Sequence, residues 1–164
     1  MRQNDDVDSN VLLTWFARAA VAGVFALNLG CAVSFIVQPA QYTSAFEISG
    51  LPGRLLVQAL GILFLMWNTT YPPVLIRPDA HKTLFGVILV QQAIGLTGET
   101  GLWLTLPSGH SALWNTGLRF MIFDGIGLAL MGVAYGLLWT TVSQSVRSRL
   151  AKNTQVEAQK LTEP

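Results

Sequence analysis

The feature that most restricts what this chain can fold into is where charge is missing. No charged residue occurs between Ala19 and Phe46, between Leu55 and Ile76, or between Gly125 and Val146. A helix rising 1.5 Å per residue crosses the hydrocarbon core of a bilayer with roughly 20 mostly apolar residues, so each window is long enough to span. A fourth window, Thr83 to Leu106, is broken only by Glu99. Over the whole chain 12% of residues are charged, against about a quarter in an ordinary soluble domain. The pattern predicts an all-α integral membrane four-helix bundle, with spans near 14–37, 53–76, 82–106 and 113–141. A polar leader (1–12) and a polar tail (143–164) flank it. Span 1 is expected to be a true transmembrane helix and not a removable signal. Its leader, Asn4-Asp5-Asp6-Val7-Asp8, is acidic where a signal is basic, and its apolar run is too long for an h-region.

Basic residues fall on one set of segments. Arg2 and Arg18 open span 1, Arg77 and Lys82 bracket the 2–3 loop, and Arg147, Arg149, Lys152 and Lys160 follow span 4. The 1–2 loop has no Lys or Arg before Arg54, and the 3–4 loop has none. The positive-inside rule then predicts a multi-pass protein of the cell inner (plasma) membrane with both termini cytoplasmic. Aromatic residues are expected to band at both interfaces: Trp15, Trp67, Tyr71, Tyr135 and Trp139 inside, Trp103 and Trp114 outside.

The spans carry polar residues, which are costly in lipid and by default face the bundle interior. Arg54, Gln58, Gly61, Leu65 and Asn68 share one face of span 2, and Gln92, Gly95 and Glu99 share one face of span 3. Counting rise along the antiparallel spans 3 and 4 places Glu99 and Arg119 at similar depth, roughly 7–11 Å from the outer ends. An interhelical Glu99–Arg119 ion pair is therefore expected. Asp124 falls about 15 Å in, level with Asn28 of span 1, and lies about 140° around the helix from Arg119. Arg54, Gln58, Glu99, Arg119, Asp124 and Asn28 thus form a candidate polar layer in the outer half. Its bland use is structural, paired charges fixing helix register. Its sharp use is a pocket open to the outer face, in which Asp124 or Glu99 binds a ligand or moves a proton.

Gly132 and Gly136 form a GxxxG on span 4, and Ala22, Ala26 and Gly30 form a small-residue ridge on span 1. Such ridges let helices approach closely, within the bundle by first expectation and in a homodimer by second. Cys31 is the sole cysteine, so no internal disulfide or CxxC pair exists. His81 and His110 fall on opposite sides of the membrane and cannot share a metal. No phosphate-binding loop, dinucleotide turn, HExxH or GxSxG motif is present. The few basic residues are juxtamembrane, suited to anionic lipid and not to nucleic acid.

Several short motifs together resemble the DoxX-like group of small four-helix bacterial membrane proteins. They are Pro39-x-x-Tyr42, Gly50-x-x-Gly53-Arg54, Gln58-Ala59-Leu60-Gly61, Leu65-Met66-Trp67-Asn68 through Tyr71-Pro72, Gly98-Glu99, and Arg119 to Asp124. The resemblance covers roughly residues 12 to 140 and implies the fold. Most members of that group have no assigned activity, and some are linked to quinone-coupled sulfur oxidation. That activity does not carry over, because this chain lacks a paired cysteine or other redox residue. Three functions remain. The leading reading is a non-catalytic bundle or accessory subunit, partnered by lipid, by other membrane subunits or by copies of itself. An alternative is a binder of a small hydrophobic ligand, a quinone or lipid, in the outer polar pocket. A further alternative is a membrane enzyme or proton-coupled transporter using Asp124 and Glu99.

Overall fold

The computed structural model describes the backbone of residues 2–162 and the side chains of residues 11–140 and Thr154. The side chains of Arg2, Arg147, Arg149, Lys152 and Lys160, which enter the orientation argument, lie outside the described residues. The described residues are mostly helical, without strands: α1 (Arg2–Val37), α2 (Gly50–Asn68), α3 (Tyr71–Ile76), α4 (Lys82–Leu104) and α5 (Ser111–Thr162). Short 3₁₀ turns at Pro39–Gln41 and Ser44–Phe46 occupy the α1–α2 loop. Three helical stretches are long and apolar enough to cross a membrane: Val11–Val37, Gly50–Asn68 and Ser111–Thr140. Helix α4, with 23 residues, is long enough at roughly 35 Å. It is more polar, because Gln91, Gln92, Thr97, Glu99 and Thr100 interrupt it.

The second apolar window does not form one helix. Helix α2 stops at Asn68, and Pro72 and Pro73 sit in the first turn of α3, where a missing N–H costs nothing. At the break, the hydroxyls of Thr69 and Thr70 donate to the carbonyls of Met66 (2.7 Å) and Trp67 (3.0 Å), and Asn68 Nδ2 donates to Phe64 O at 2.7 Å. These side chains satisfy groups that a helix end leaves without intrahelical partners.

Helix α1 packs along α2 and α5, α4 packs along α5, and α3 fits between α1 and α4. Helices α2 and α4 scarcely meet. The core fills the half of the bundle nearest the 77–81 turn. It is built from Ala17, Val21 and Val24 of α1, Tyr71 and Val74 of α3, Phe85 and Ile88 of α4, and Met131, Ala134 and Leu138 of α5. In the other half α2 is held against α1 by a close crossing at Gly61. A Cβ there would come within 2.8 Å of Ala32 O and 2.9 Å of Phe35 Cβ.

Two expectations about the surface change. Tyr71 is fully buried in the core, with its ring stacked 5.9 Å from Phe25, and Trp67 is half-buried. Tyr71 does not belong to an interfacial band, because the break after α2 returns α3 to the interior. Trp15 and Trp139 are exposed and do flank the 77–81 end, where Arg18 and Lys82 cover their rings at 5.2 and 4.3 Å. The small-residue ridges do not pack within the chain. Cβ atoms added at Gly30, Gly132 and Gly136 would meet nothing within 4 Å, Ala26 is exposed, and Ala22 is only half-buried. The reason is angular: α5 turns Gly127, Met131, Ala134 and Leu138 inward, and Gly132 and Gly136 lie beside that stripe.

Candidate functional site

Above the core, between α1, α2, α4 and α5, lies a chamber of about 250 Å³. Its polar lining comes from Asn28 of α1, Asn68 of α2, Gln92 and Glu99 of α4, and Arg119 and Asp124 of α5. Aromatic rings of Phe64, Trp67, Phe120 and Phe123 form most of the remaining wall, with Leu27 and Cys31 from α1. Gly95 makes room for it. A side chain at that position would come within 2.9 Å of Asp124 Oδ2 and 3.3 Å of the Trp67 ring.

One side of the chamber is a hydrogen-bond relay. The Tyr71 hydroxyl donates to Gln92 Oε1 at 3.3 Å, and Gln92 Nε2 donates to Asp124 Oδ1 at 2.7 Å. With Gln92 only 1% exposed, the relay ties α3, α4 and α5 together where water does not compete. On the other side polar atoms stand alone. Trp67 Nε1, Asn68 Oδ1 and Glu99 Oε2 are buried with no hydrogen-bond partner among the described residues. Leaving such a group unpaired costs about 1–3 kcal/mol, and all three residues line this one cavity.

The predicted polar layer is therefore partly assembled. Asn28, Glu99, Arg119 and Asp124 converge on the chamber, while Arg54 and Gln58 are absent from its lining. Arg54 is exposed, and Gln58 Nε2 donates to Ile36 O at 3.2 Å, capping the end of α1. The expected Glu99–Arg119 ion pair is not present. Among the described residues the ion pair is between His110 and Glu47. Glu99 turns inward, whereas Arg119 is exposed at the chamber's edge. Arg119 and Asp124, placed on different faces by helical angle, line the same chamber because it is wide enough to subtend both.

A second, apolar cavity of about 310 Å³ adjoins the first and shares Phe64, Glu99 and Phe120 with it. Phe35, Phe46, Leu102, Trp103 and Leu113 close it at the loop end. The loop above is fastened to α5. Glu47 Oε1 accepts the backbone N–H groups of Ala112 (3.1 Å) and Leu113 (3.3 Å), and its Oε2 meets His110 Nδ1 at 2.5 Å. The Thr116 hydroxyl adds a bond to Ala45 O at 2.9 Å. Hydrogen bonding to His110, then the two backbone donors, hold the Glu47 carboxyl below its ordinary range. Neither Glu47 nor His110 stands out in the sequence, because their pairing joins loops 63 residues apart.

No family model, characterised protein or solved structure matches the chain. The DoxX-like resemblance thus rests on its short motifs.

Proposed function

We propose that this chain is a four-span bundle of the plasma membrane that binds a small hydrophobic molecule with a polar head, a quinone or lipid, in its interior chamber. The observation that carries the reading is that Trp67, Asn68 and Glu99, each with an unpaired buried polar atom, line one cavity with aromatic walls. A volume of about 250 Å³ equals that of about eight waters, enough for a single ring or a compact head group. An apolar chain leaves by the groove between α2 and α4, lined by Leu60, Leu63, Met66 and Ile94. That groove shares Phe64 and Trp67 with the chamber. Native mass spectrometry of the protein released from its own membrane tests this: a retained hydrophobic adduct is expected, and an adduct-free protein refutes it.

In this reading α4 is the remaining crossing: Gln92 and Glu99 line the chamber, and the hydroxyls of Thr97 and Thr100 donate back to the carbonyls of Ala93 and Leu96. The arginine and lysine pattern supports cytoplasmic termini. Ser108→Cys on a Cys31→Ser background should react with a membrane-impermeant maleimide on intact cells, and Asp79→Cys should not. Equal labelling of both refutes the topology. A second reading, a subunit or homo-oligomer, is favoured by the open faces of Gly132 and Gly136. Disulfide crosslinking at Gly132→Cys gives an intermolecular product only if that face docks.

A further inference from the structure

The ligand's charge is written in the chamber wall. Two carboxylates, Glu99 and Asp124, line it with one cation, Arg119. Arg119 is exposed and makes no ion pair with either among the described residues. Gln92 satisfies one oxygen of Asp124, while Glu99 Oε2 has no partner. Asn68, only 3% exposed, adds a carbonyl oxygen that also has none. Two of the three unpaired buried atoms are therefore acceptors and Trp67 Nε1 is a donor, with further donors in the N–H groups of Arg119 at the exposed edge. The buried acceptors ask for a head group that brings N–H. The rings of Phe64, Trp67, Phe120 and Phe123 complete the wall, and aromatic faces attract cations most strongly where water is excluded. A phosphate or carboxylate head would instead set its charge against Glu99 and Asp124, at a cost that low-dielectric surroundings amplify.

We infer that the chamber takes a lipophilic organic cation: an ammonium head held between Glu99, Asp124, Asn68 and the aromatic wall, with its apolar chain in the groove between α2 and α4. This inference rests on the ligand-binding reading above and sharpens it. The charge of the ammonium faces both carboxylates, and Glu99 Oε2 and Asn68 Oδ1, buried and without partners, accept from it once their side chains turn toward the chamber. Arg119, at the edge, opposes it and limits its affinity.

The test compares three ligands of one chain length, decylamine, decanol and decanoate, by calorimetry. The full-length protein is held in nanodiscs of zwitterionic lipid, with empty discs as background. Decylamine should bind at least about tenfold tighter than decanol, about 1.4 kcal/mol, and decanoate weakest. Glu99→Gln and Asp124→Asn should each remove most of that preference by weakening decylamine far more than decanol, while Gly132→Ala, outside the chamber, should leave all three affinities unchanged. Asp124→Asn keeps an acceptor oxygen for Gln92. Arg119→Gln should tighten decylamine more than it changes decanol. Equal binding of decylamine and decanol, or tighter binding of decanoate, overturns the cation inference and leaves the ligand reading standing. Retention of the amine preference in both carboxylate variants also overturns it. Failure of all three ligands to bind overturns both.

Discussion

Substituting glycines of one protein at two positions separates a packed helix crossing from an open face. At Gly61 the added methyl of Gly61→Ala would lie 2.8 Å from Ala32 O, 2.9 Å from Phe35 Cβ and 2.9 Å from Ile36 Cγ1. Only the Ile36 atom is the far part of a side chain that can rotate away; the other two move only if α1 moves. Carbon contacts settle near 3.5–4.0 Å, so the two helices must separate locally by more than about half an ångström. Overpacking of this kind costs typically about 1–3 kcal/mol. At Gly132 the same methyl meets nothing within 4 Å, and alanine gains helix propensity, up to about 1 kcal/mol in water. Cys31 provides the assay. It is the only cysteine, half-buried on α1, one residue from Ala32. A thiol-reactive dye that fluoresces on coupling reports unfolding during a thermal ramp in mild detergent. Gly61→Ala should label at lower temperature than wild type, and Gly132→Ala at the same or a higher temperature. If Gly61→Ala labels like wild type, α1 and α2 do not cross as described.

Other outcomes follow from the same contacts. Replacing Gln92 by leucine removes two interhelical hydrogen bonds, each worth about 0.6 kcal/mol in membranes, so Gln92→Leu should lower stability by about 1 kcal/mol in the same labelling ramp. Glu47 is ionised in its pairing with His110 and the α5 N-terminus, and its carboxyl is held below the ordinary range, chiefly by the His110 hydrogen bond. Its contribution is therefore present above the unfolded carboxylate value, about 4.3, and lost as pH falls through the lowered folded value. Thermal ramps at descending pH should show that loss in wild type and not in Glu47→Gln, which should be less stable at neutral pH; parallel pH profiles would refute the fastening. Introducing bulk at the open face, Gly136→Leu, should leave the isolated chain's stability unchanged. If it disperses an oligomer on size-exclusion chromatography, the docking reading gains support.

How much of this was readable in the residues follows from the range of each interaction. The charge-free windows became α1, α2 with α3, and α5, because hydrophobic length is a property of consecutive residues. Asn28, Glu99, Arg119 and Asp124 share a chamber because depth along a straight helix can be counted. What failed depended on a break or on a partner. Tyr71 belongs to the core and not to an interface, since two residues of turn at Thr69 and Thr70 redirect the chain. Asn68 and Gln92 were placed on polar faces, but no spacing rule says that one is left unpaired and the other bridges Tyr71 to Asp124. Gly61 and Gly132 are identical as letters; only the neighbouring helix distinguishes them.

The claim that most needs testing is that the chamber holds a ligand. Cys31 lines it from α1, so Cys31→Trp fills the space with an indole while leaving the relay of Tyr71, Gln92 and Asp124 in place. Native mass spectrometry of wild type and Cys31→Trp, released from the same membranes, should show a hydrophobic adduct on the wild type and none on the variant. The same adduct on both proteins, or none on either, would contradict the account.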